Sequence, residues 1–329
     1  MASMIIRYDV GQGARWAVVT GAAPIHPDDL VEARDLATEV TTLGDLIAEL
    51  DAGRALPSDP AAVPARAILS PVTADATLIC QGLNYRDHAA EAGHHQRRAN
   101  LLFAKASSSL CGPYADIVRP AGVELLDYEA EIGIVLRRSL GSGAVVDRSN
   151  IGSFVAGVVL CNDVSARDTM FGASFLQWYR GKSFRTFCPT GPVFYYLDQG
   201  DVAETIPQLD LALSREGEMR QSASSANFIY PPEEALTEIA GLQDLKRGDL
   251  LLTGTPGGVI ARATPEVIGI LSAHIVDDVR RRDEIRVALD APAFLQPGET
   301  LWLTLRDARR SLQLGGQQSR IVEDNAHVH

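Results

Sequence analysis

Three acidic side chains stand on alternate residues in Asp127-Tyr128-Glu129-Ala130-Glu131, directly before the apolar run Ile132-Gly133-Ile134-Val135-Leu136. The β-branched run reads as a strand, and strand side chains alternate between faces. Asp127, Glu129 and Glu131 are therefore predicted to share one face, neighbours being roughly 7 Å apart. Stacked carboxylates repel one another unless a cation or a set of hydrogen-bond donors meets them. Hard divalent cations take oxygen ligands of this kind. A solvated acidic edge strand would read the same way, and on this segment alone the two stand level.

Two further segments carry candidate chemistry. Asp163 closes the apolar run Val155 to Leu160 in Leu160-Cys161-Asn162-Asp163-Val164-Ser165-Ala166-Arg167-Asp168. At a strand end it could complete an oxygen-ligand set with Glu129 and Glu131. Arg167 could grip a carboxylate in bidentate fashion, although taken alone the segment reads more simply as an Asx-turn with a surface ion pair. Lys182 sits between Gly181 and Ser183-Phe184, opening a turn that runs to Cys188-Pro189-Thr190-Gly191-Pro192. It reads either as a lysine held at a site or as a side chain snorkelling on the surface.

The elements that must position these residues are mostly short strands. Thr77 to Cys80, Ile132 to Leu136, Val155 to Leu160, Val193 to Leu197, Leu209 to Leu213, Leu250 to Thr253 and Leu301 to Leu305 are separated by Gly and Pro. This spacing predicts a β-dominated α+β fold. Residues 1–72 read as a small N-terminal α/β domain, with Trp16 to Val19 strand-like and Leu43 to Leu50 amphipathic. A loop-rich boundary through Pro57, Pro60 and Pro64 follows, and residues 73–329 read as a second, larger, strand-rich domain. Two helices interrupt the strands. One spans Asn84 to about Arg97, with Asn84 as N-cap and Asp87 at the capping-box position. The other runs from about Thr264 to Arg286, inside a helical insert at about 260–293.

Global properties narrow the class. The chain has 329 residues, 46% hydrophobic and 22% charged, with a formal net charge of −12. That acidity argues against a nucleic-acid partner, which needs a basic patch. The longest apolar stretch, around Phe154 to Cys161, is too short to span a bilayer, and residues 1–9 lack the features of a signal peptide. Cys80, Cys111, Cys161 and Cys188 form no CxxC pair, which suits a reduced, cytoplasmic enzyme. Gly181-Lys182-Ser183 lacks the upstream glycine of a phosphate loop, and Gly254-Thr255-Pro256-Gly257-Gly258 is not GxGxxG. Neither a GxSxG elbow nor HExxH occurs.

Taken in order, six segments resemble the fumarylacetoacetate hydrolase family. They are Cys80-Gln81-Gly82-Leu83-Asn84-Tyr85-Arg86-Asp87-His88-Ala89-Ala90-Glu91, Phe103-Ala104-Lys105, Asp127 to Glu131, Asn162 to Asp168, Gly181 to Phe184, and Thr253-Gly254-Thr255-Pro256-Gly257-Gly258-Val259. The resemblance covers roughly residues 75 to 316 and implies a mixed β-roll core in a homodimer. It further implies a divalent-metal-dependent hydrolase cleaving a C–C bond of a diketo acid, acylpyruvate- or fumarylpyruvate-like, through a metal-stabilised enolate. The alternative it carries is a 2-oxo acid tautomerase or isomerase, of the oxaloacetate or 2-hydroxy-diene-dioate type, or a decarboxylase on the same site. Mg2+ is the implied cofactor, with Mn2+ or Ca2+ as alternatives, and no membrane or nucleic acid is involved.

Carried over by position, Glu129, Glu131 and Asp163 resemble the metal ligands, leaving Asp127 outside the set. His88 and Glu91 fall where the family has a His–Glu dyad on a mobile helix; their i, i+3 spacing puts them on one helical face. The resemblance makes His88, Glu91 and Lys182 catalytic, and Arg167, Tyr85 and Thr255 substrate-binding. The segment 84–97 is expected to act as a lid. Three departures mark this chain: Met170 where many members carry Gln, Arg185 where Asp is common, and 260–293 in place of a short connection. That insert could rim the pocket, support an oligomer contact, or decorate the surface.

Overall fold

A computed structural model describes residues 2–86, 99–273 and 277–324. Strands dominate, as the spacing of apolar runs predicted, and two sheets carry most of them. The larger sheet has twelve strands. Its centre is Ala130–Leu136 paired antiparallel with Val155–Asn162, and every residue of both strands is buried. Continuous β-branched and apolar runs suit this position, because neither face meets water. Val155–Asn162 pairs on its other side with Cys188–Tyr196, which in turn receives Ser3–Asp9, so the N-terminal strands extend the same sheet. On the far side Ala130–Leu136 pairs with Leu250–Leu252, then Leu78–Gly82, then Leu101–Lys105. The second sheet, of five strands, includes Leu209–Arg215, Thr300–Asp307 and Leu312–Glu323.

Three local expectations need correction. Asp127, Glu129 and Glu131 do not lie along one strand. Leu126–Asp127 pairs with Ser165–Ala166, and the next strand begins at Ala130. The break is stabilised by the Asp127 carboxylate, which accepts from the backbone N–H groups of Tyr128, Ile260 and Ala261. Among the described residues, the Asn84 side chain, predicted as a helix cap, bonds to distant backbone instead. Its amide donates to the Tyr230 and Thr253 carbonyls while its oxygen accepts from Tyr230 N–H. Finally, the helix expected over 264–286 is two helices, Pro265–Ser272 and Asp278–Ala288. Thr264 caps the first through a bond from Val267 N–H. Asp277 caps the second through bonds from Val279 and Arg280, so a fresh helix starts where one was read as continuing.

The insert packs on its own small core, with Leu125, Val267, Ile285, Leu289 and Phe294 buried together. Arg281 lies beneath it, its guanidinium donating to the carbonyls of Phe171, Leu271 and Ala273. One charged side chain thereby satisfies the end of one helix and ties it to the body of the protein.

Candidate active site

The central strand pair brings the predicted ligands together at its end. Glu131 lies opposite Cys161 and Ala130 opposite Asn162. One step further, Asp163 N–H donates to the Glu129 carbonyl at 2.8 Å, and Glu129 N–H donates to the Asn162 side-chain oxygen at 3.1 Å. These bonds hold Glu129 and Asp163 side by side just past the ladder. Glu129, Glu131 and Asp163 thus offer carboxylate oxygens that all lie within 4.8 Å of one another. All three are buried.

Cations meet this cluster from three elements. Lys182, last residue of the short helix Trp178–Lys182, donates to Glu129 Oε2 at 2.7 Å and Asp163 Oδ2 at 2.5 Å. Only 1% of Lys182 is exposed, so it is not a surface lysine. Burial pulls its pKa down, but Asp163 and Glu129 more than offset this and hold it charged above the usual lysine range. Lys105, ending the strand Leu101–Lys105, donates to Asp163 Oδ1 at 2.5 Å. Lys105 closes the segment Phe103-Ala104-Lys105, in which nothing local marks it for a role at the site. Arg167 donates through Nε to Asp127 at 2.9 Å and through Nη2 to Glu129 Oε1 at 2.6 Å. Its guanidinium therefore braces two carboxylates, Asp127 standing behind the triad rather than in it.

Glu131 is the exception. Its Oε2 accepts from Gly254 N–H at 2.9 Å, while Oε1 is buried with no hydrogen-bond partner among the described residues. Gly254 approaches closely with φ +85°; a Cβ there would lie 2.9 Å from Asn84 Cβ and 3.0 Å from Gln81 O. Burial, then the charges of Asp163 and Glu129, push the Glu131 carboxyl well above the ordinary carboxylate range. Four buried carboxylates face three cations here, so the set carries one surplus negative charge once Glu131 gives up its proton, and one carboxylate oxygen has no partner among the described residues. An oxygen-only ligand set with surplus negative charge fits a hard divalent cation. Cys80 also lies near. Burial, then Asp163 and Glu131, hold its thiol well above its usual range, which makes it a poor nucleophile.

The remaining predicted residues are placed as follows. The Thr255 hydroxyl donates to Ala130 O at 3.0 Å and accepts from Gln221 at 2.8 Å, fixing the glycine-rich turn against the strand end. Tyr85 is fully buried, its ring edge-on to Phe228 with centroids 5.0 Å apart. His88 and Glu91, the lid expected over 84–97 apart from its first three residues, and Asp87 lie outside the described residues. A cavity of about 380 Å3 opens on the cluster, with Glu129, Arg167, Lys182 and Thr255 in its wall.

Known proteins resemble this chain in both sequence and structure. The profile of the fumarylacetoacetate (FAA) hydrolase C-terminal family matches residues 77–322. A mitochondrial oxaloacetate tautomerase of Bos taurus is 34% identical over 199 residues, 60% of this chain and 62% of that protein. A fumarylacetoacetate hydrolase domain-containing protein 2 homolog of Dictyostelium discoideum is 31% identical over 204 residues, covering 60% of this chain and 66% of its own. The match therefore spans less than two thirds of these relatives. Among solved structures, a fumarylacetoacetate hydrolase from Exiguobacterium antarcticum superposes with a TM-score of 0.70 at 24% identity, covering 98% of this chain and 100% of the other. A 2-hydroxyhepta-2,4-diene-1,7-dioate isomerase from Mycobacterium marinum gives 0.68 at 21%, covering 98% and 99%. At such identity the superpositions speak for the fold.

Proposed function

Because the chain belongs to the fumarylacetoacetate hydrolase family, we propose that it is a divalent-metal-dependent enzyme hydrolysing a carbon–carbon bond in a diketo acid of the acylpyruvate kind. The observation that carries this reading is the juxtaposition of the carboxylate triad, with its unsatisfied Glu131 oxygen, and a cavity larger than a four-carbon diacid fills. A divalent ion held by Glu129, Glu131 and Asp163 would supply Lewis acidity toward the carboxylate and 2-oxo oxygens of the substrate.

The protein's own groups do the rest. Lys105, Arg167 and Gly254 N–H fix the orientation of Asp163, Glu129 and Glu131 respectively, so the ligand set needs little reorganisation. Lys182 adds a fixed positive charge beside the cavity, favouring negative charge that develops on oxygen. His88, oriented by Glu91, takes a proton from water, whose oxygen adds to the distal carbonyl carbon. The bond from that carbon to the adjoining methylene then breaks. Its electron pair leaves as the enolate of pyruvate, which takes the proton, and the acyl group departs as a carboxylic acid.

A second reading is tautomerisation of oxaloacetate, favoured by the name of the bovine relative. The two are separated with purified protein and Mg2+ or Mn2+. Acylpyruvates are assayed for release of pyruvate and of the matching acid, and enol-oxaloacetate for conversion to its keto form without bond cleavage. Release of both fragments, lost in chelator, is expected. Tautomerisation of oxaloacetate with every acylpyruvate left intact overturns the hydrolase reading.

A further inference from the structure

The cavity that opens on the carboxylates is walled elsewhere largely by apolar side chains, among them Phe103, Trp178 and two further groups. Met170 and Phe171 come from the short helix that begins at Arg167; Val267, Leu271 and Leu289 come from the insert. Met170 is fully buried. It stands three residues after Arg167, where a glutamine would present a polar amide to the same space. The charged groups of the wall are already engaged, Lys182 and Arg167 with Glu129, Asp163 and Asp127. Among the described residues lining the cavity, the remaining cation is Arg262, which is exposed.

A carboxylate at the far end of a substrate would lie against Met170, Phe171, Val267 and Leu271 and lose its hydration with no buried cation to meet it among the described residues, the exposed Arg262 alone being left at the rim, which costs heavily. An alkyl or aryl group in that position loses no hydrogen bonds and gains contact on several sides. We infer that the insert and Met170 form a subsite for an apolar acyl tail, so that the preferred substrates end in an alkyl or aryl group rather than in a second carboxylate. The inference rests on reading the carboxylate cluster as a 2-oxo acid site.

Calorimetric binding of simple 2-oxo acids to the Mn2+-loaded protein tests it apart from turnover. One series is methyl-ended: pyruvate, 2-oxobutanoate, 2-oxopentanoate and 2-oxohexanoate. The other is carboxylate-ended: 2-oxoglutarate and 2-oxoadipate. Burial of each added methylene is worth up to about fourfold in affinity. The methyl-ended series should therefore tighten stepwise, and 2-oxohexanoate should bind at least about tenfold tighter than 2-oxoadipate. Leu271→Arg, at a half-buried wall position, should narrow that last ratio. Affinity flat with chain length, or 2-oxoadipate bound as tightly as 2-oxohexanoate, overturns the inference. Stepwise binding with no diketo acid cleaved would retain the apolar subsite and remove the hydrolase reading. Cleavage of acylpyruvates with flat binding would do the reverse, and failure of every 2-oxo acid to bind would sink both.

Discussion

Glu131→Gln separates a metal ligand from a merely buried acid, because the two readings predict different patterns in the same melting experiment. In the metal-free protein the Glu131 carboxyl is held well above the ordinary carboxylate range, by burial first and then by Asp163 and Glu129. It therefore carries a proton at pH values where ordinary carboxylates have lost theirs, and Gln is its isostere there. The Gly254 N–H bond can be kept by the amide oxygen, and the new NH2 falls where Oε1 has no partner. Metal-free stability should fall by no more than about 1–3 kcal/mol, the cost of one buried donor left unpaired. Metal binding should suffer, since one of three anionic ligands is gone. Even changes behind a ligand cost about 10–100-fold in affinity, so a 100-fold loss is a modest expectation for the ligand itself. At a free Mn2+ concentration of about 100 times the parent Kd, the parent gains about 2.7 kcal/mol from binding and the variant only about 0.4 kcal/mol. For a chain of 329 residues, with an unfolding entropy of about 2.1 cal/mol/K per residue, that is a rise in Tm of ~4 °C against ~0.6 °C. Scanning calorimetry of both proteins, with and without Mn2+, reads the four numbers directly. A variant whose metal-induced shift equals the parent's removes Glu131 from the ligand set.

Three other outcomes follow from the same geometry. Because metal must displace the Glu131 proton, apparent Mn2+ affinity should rise with pH, by roughly tenfold per unit while one proton is released; an affinity flat from about pH 5 upward contradicts this. Lys105→Met leaves Asp163 Oδ1 without its buried partner, so metal-free stability should fall by about 3 kcal/mol in urea titrations and recover in part when Mn2+ is added. His88→Ala and Glu91→Ala should each lower kcat for acylpyruvate hydrolysis by about 10²–10⁴-fold while Mn2+ affinity by calorimetry stays at the parent value; wild-type rates in either variant exclude the dyad from the reaction.

Much of the fold was legible because its central strands are buried on both faces. Continuous apolar runs such as Ile132 to Leu136 and Val155 to Leu160 have no other comfortable state, and acidic residues at their ends stand out against them. Glu129, Glu131 and Asp163 could be grouped for that reason. What local pattern cannot carry is partnership across the sheet. Lys105 ends an ordinary five-residue strand, and its partner Asp163 lies 58 residues away. Nothing local to Ser3–Asp9 says that it pairs with Cys188–Tyr196. The break between Asp127 and Ala130 was hidden because alternation of acidic residues mimics a continuous strand. It is set by Arg167 and by the N–H groups of Ile260 and Ala261, more than 100 residues downstream of Asp127. The split insert had a readable sign in Asp277, a cap residue inside an otherwise helical stretch.

The charge cluster also explains why the site is built on the sheet rather than on loops alone. Burying four carboxylates and three cations is costly, and such a cluster contributes little net stability compared with apolar packing of similar volume. It persists only where surrounding structure fixes every member. Here Asn162 and the Asp163–Glu129 backbone bond continue the strand ladder to the ligands, and fully buried strands hold that ladder rigid. Arg167, Lys105 and Lys182 each touch at least one carboxylate at 2.9 Å or less. Glu131 Oε1, the one carboxylate oxygen of the cluster without a partner among the described residues, is thus a local deficit in an otherwise satisfied network. A cation placed there relieves like-charge repulsion within the triad and the unsatisfied acceptor together. Metal binding should therefore stabilise the fold as well as enable chemistry, and the same buried carboxylates should serve both ends.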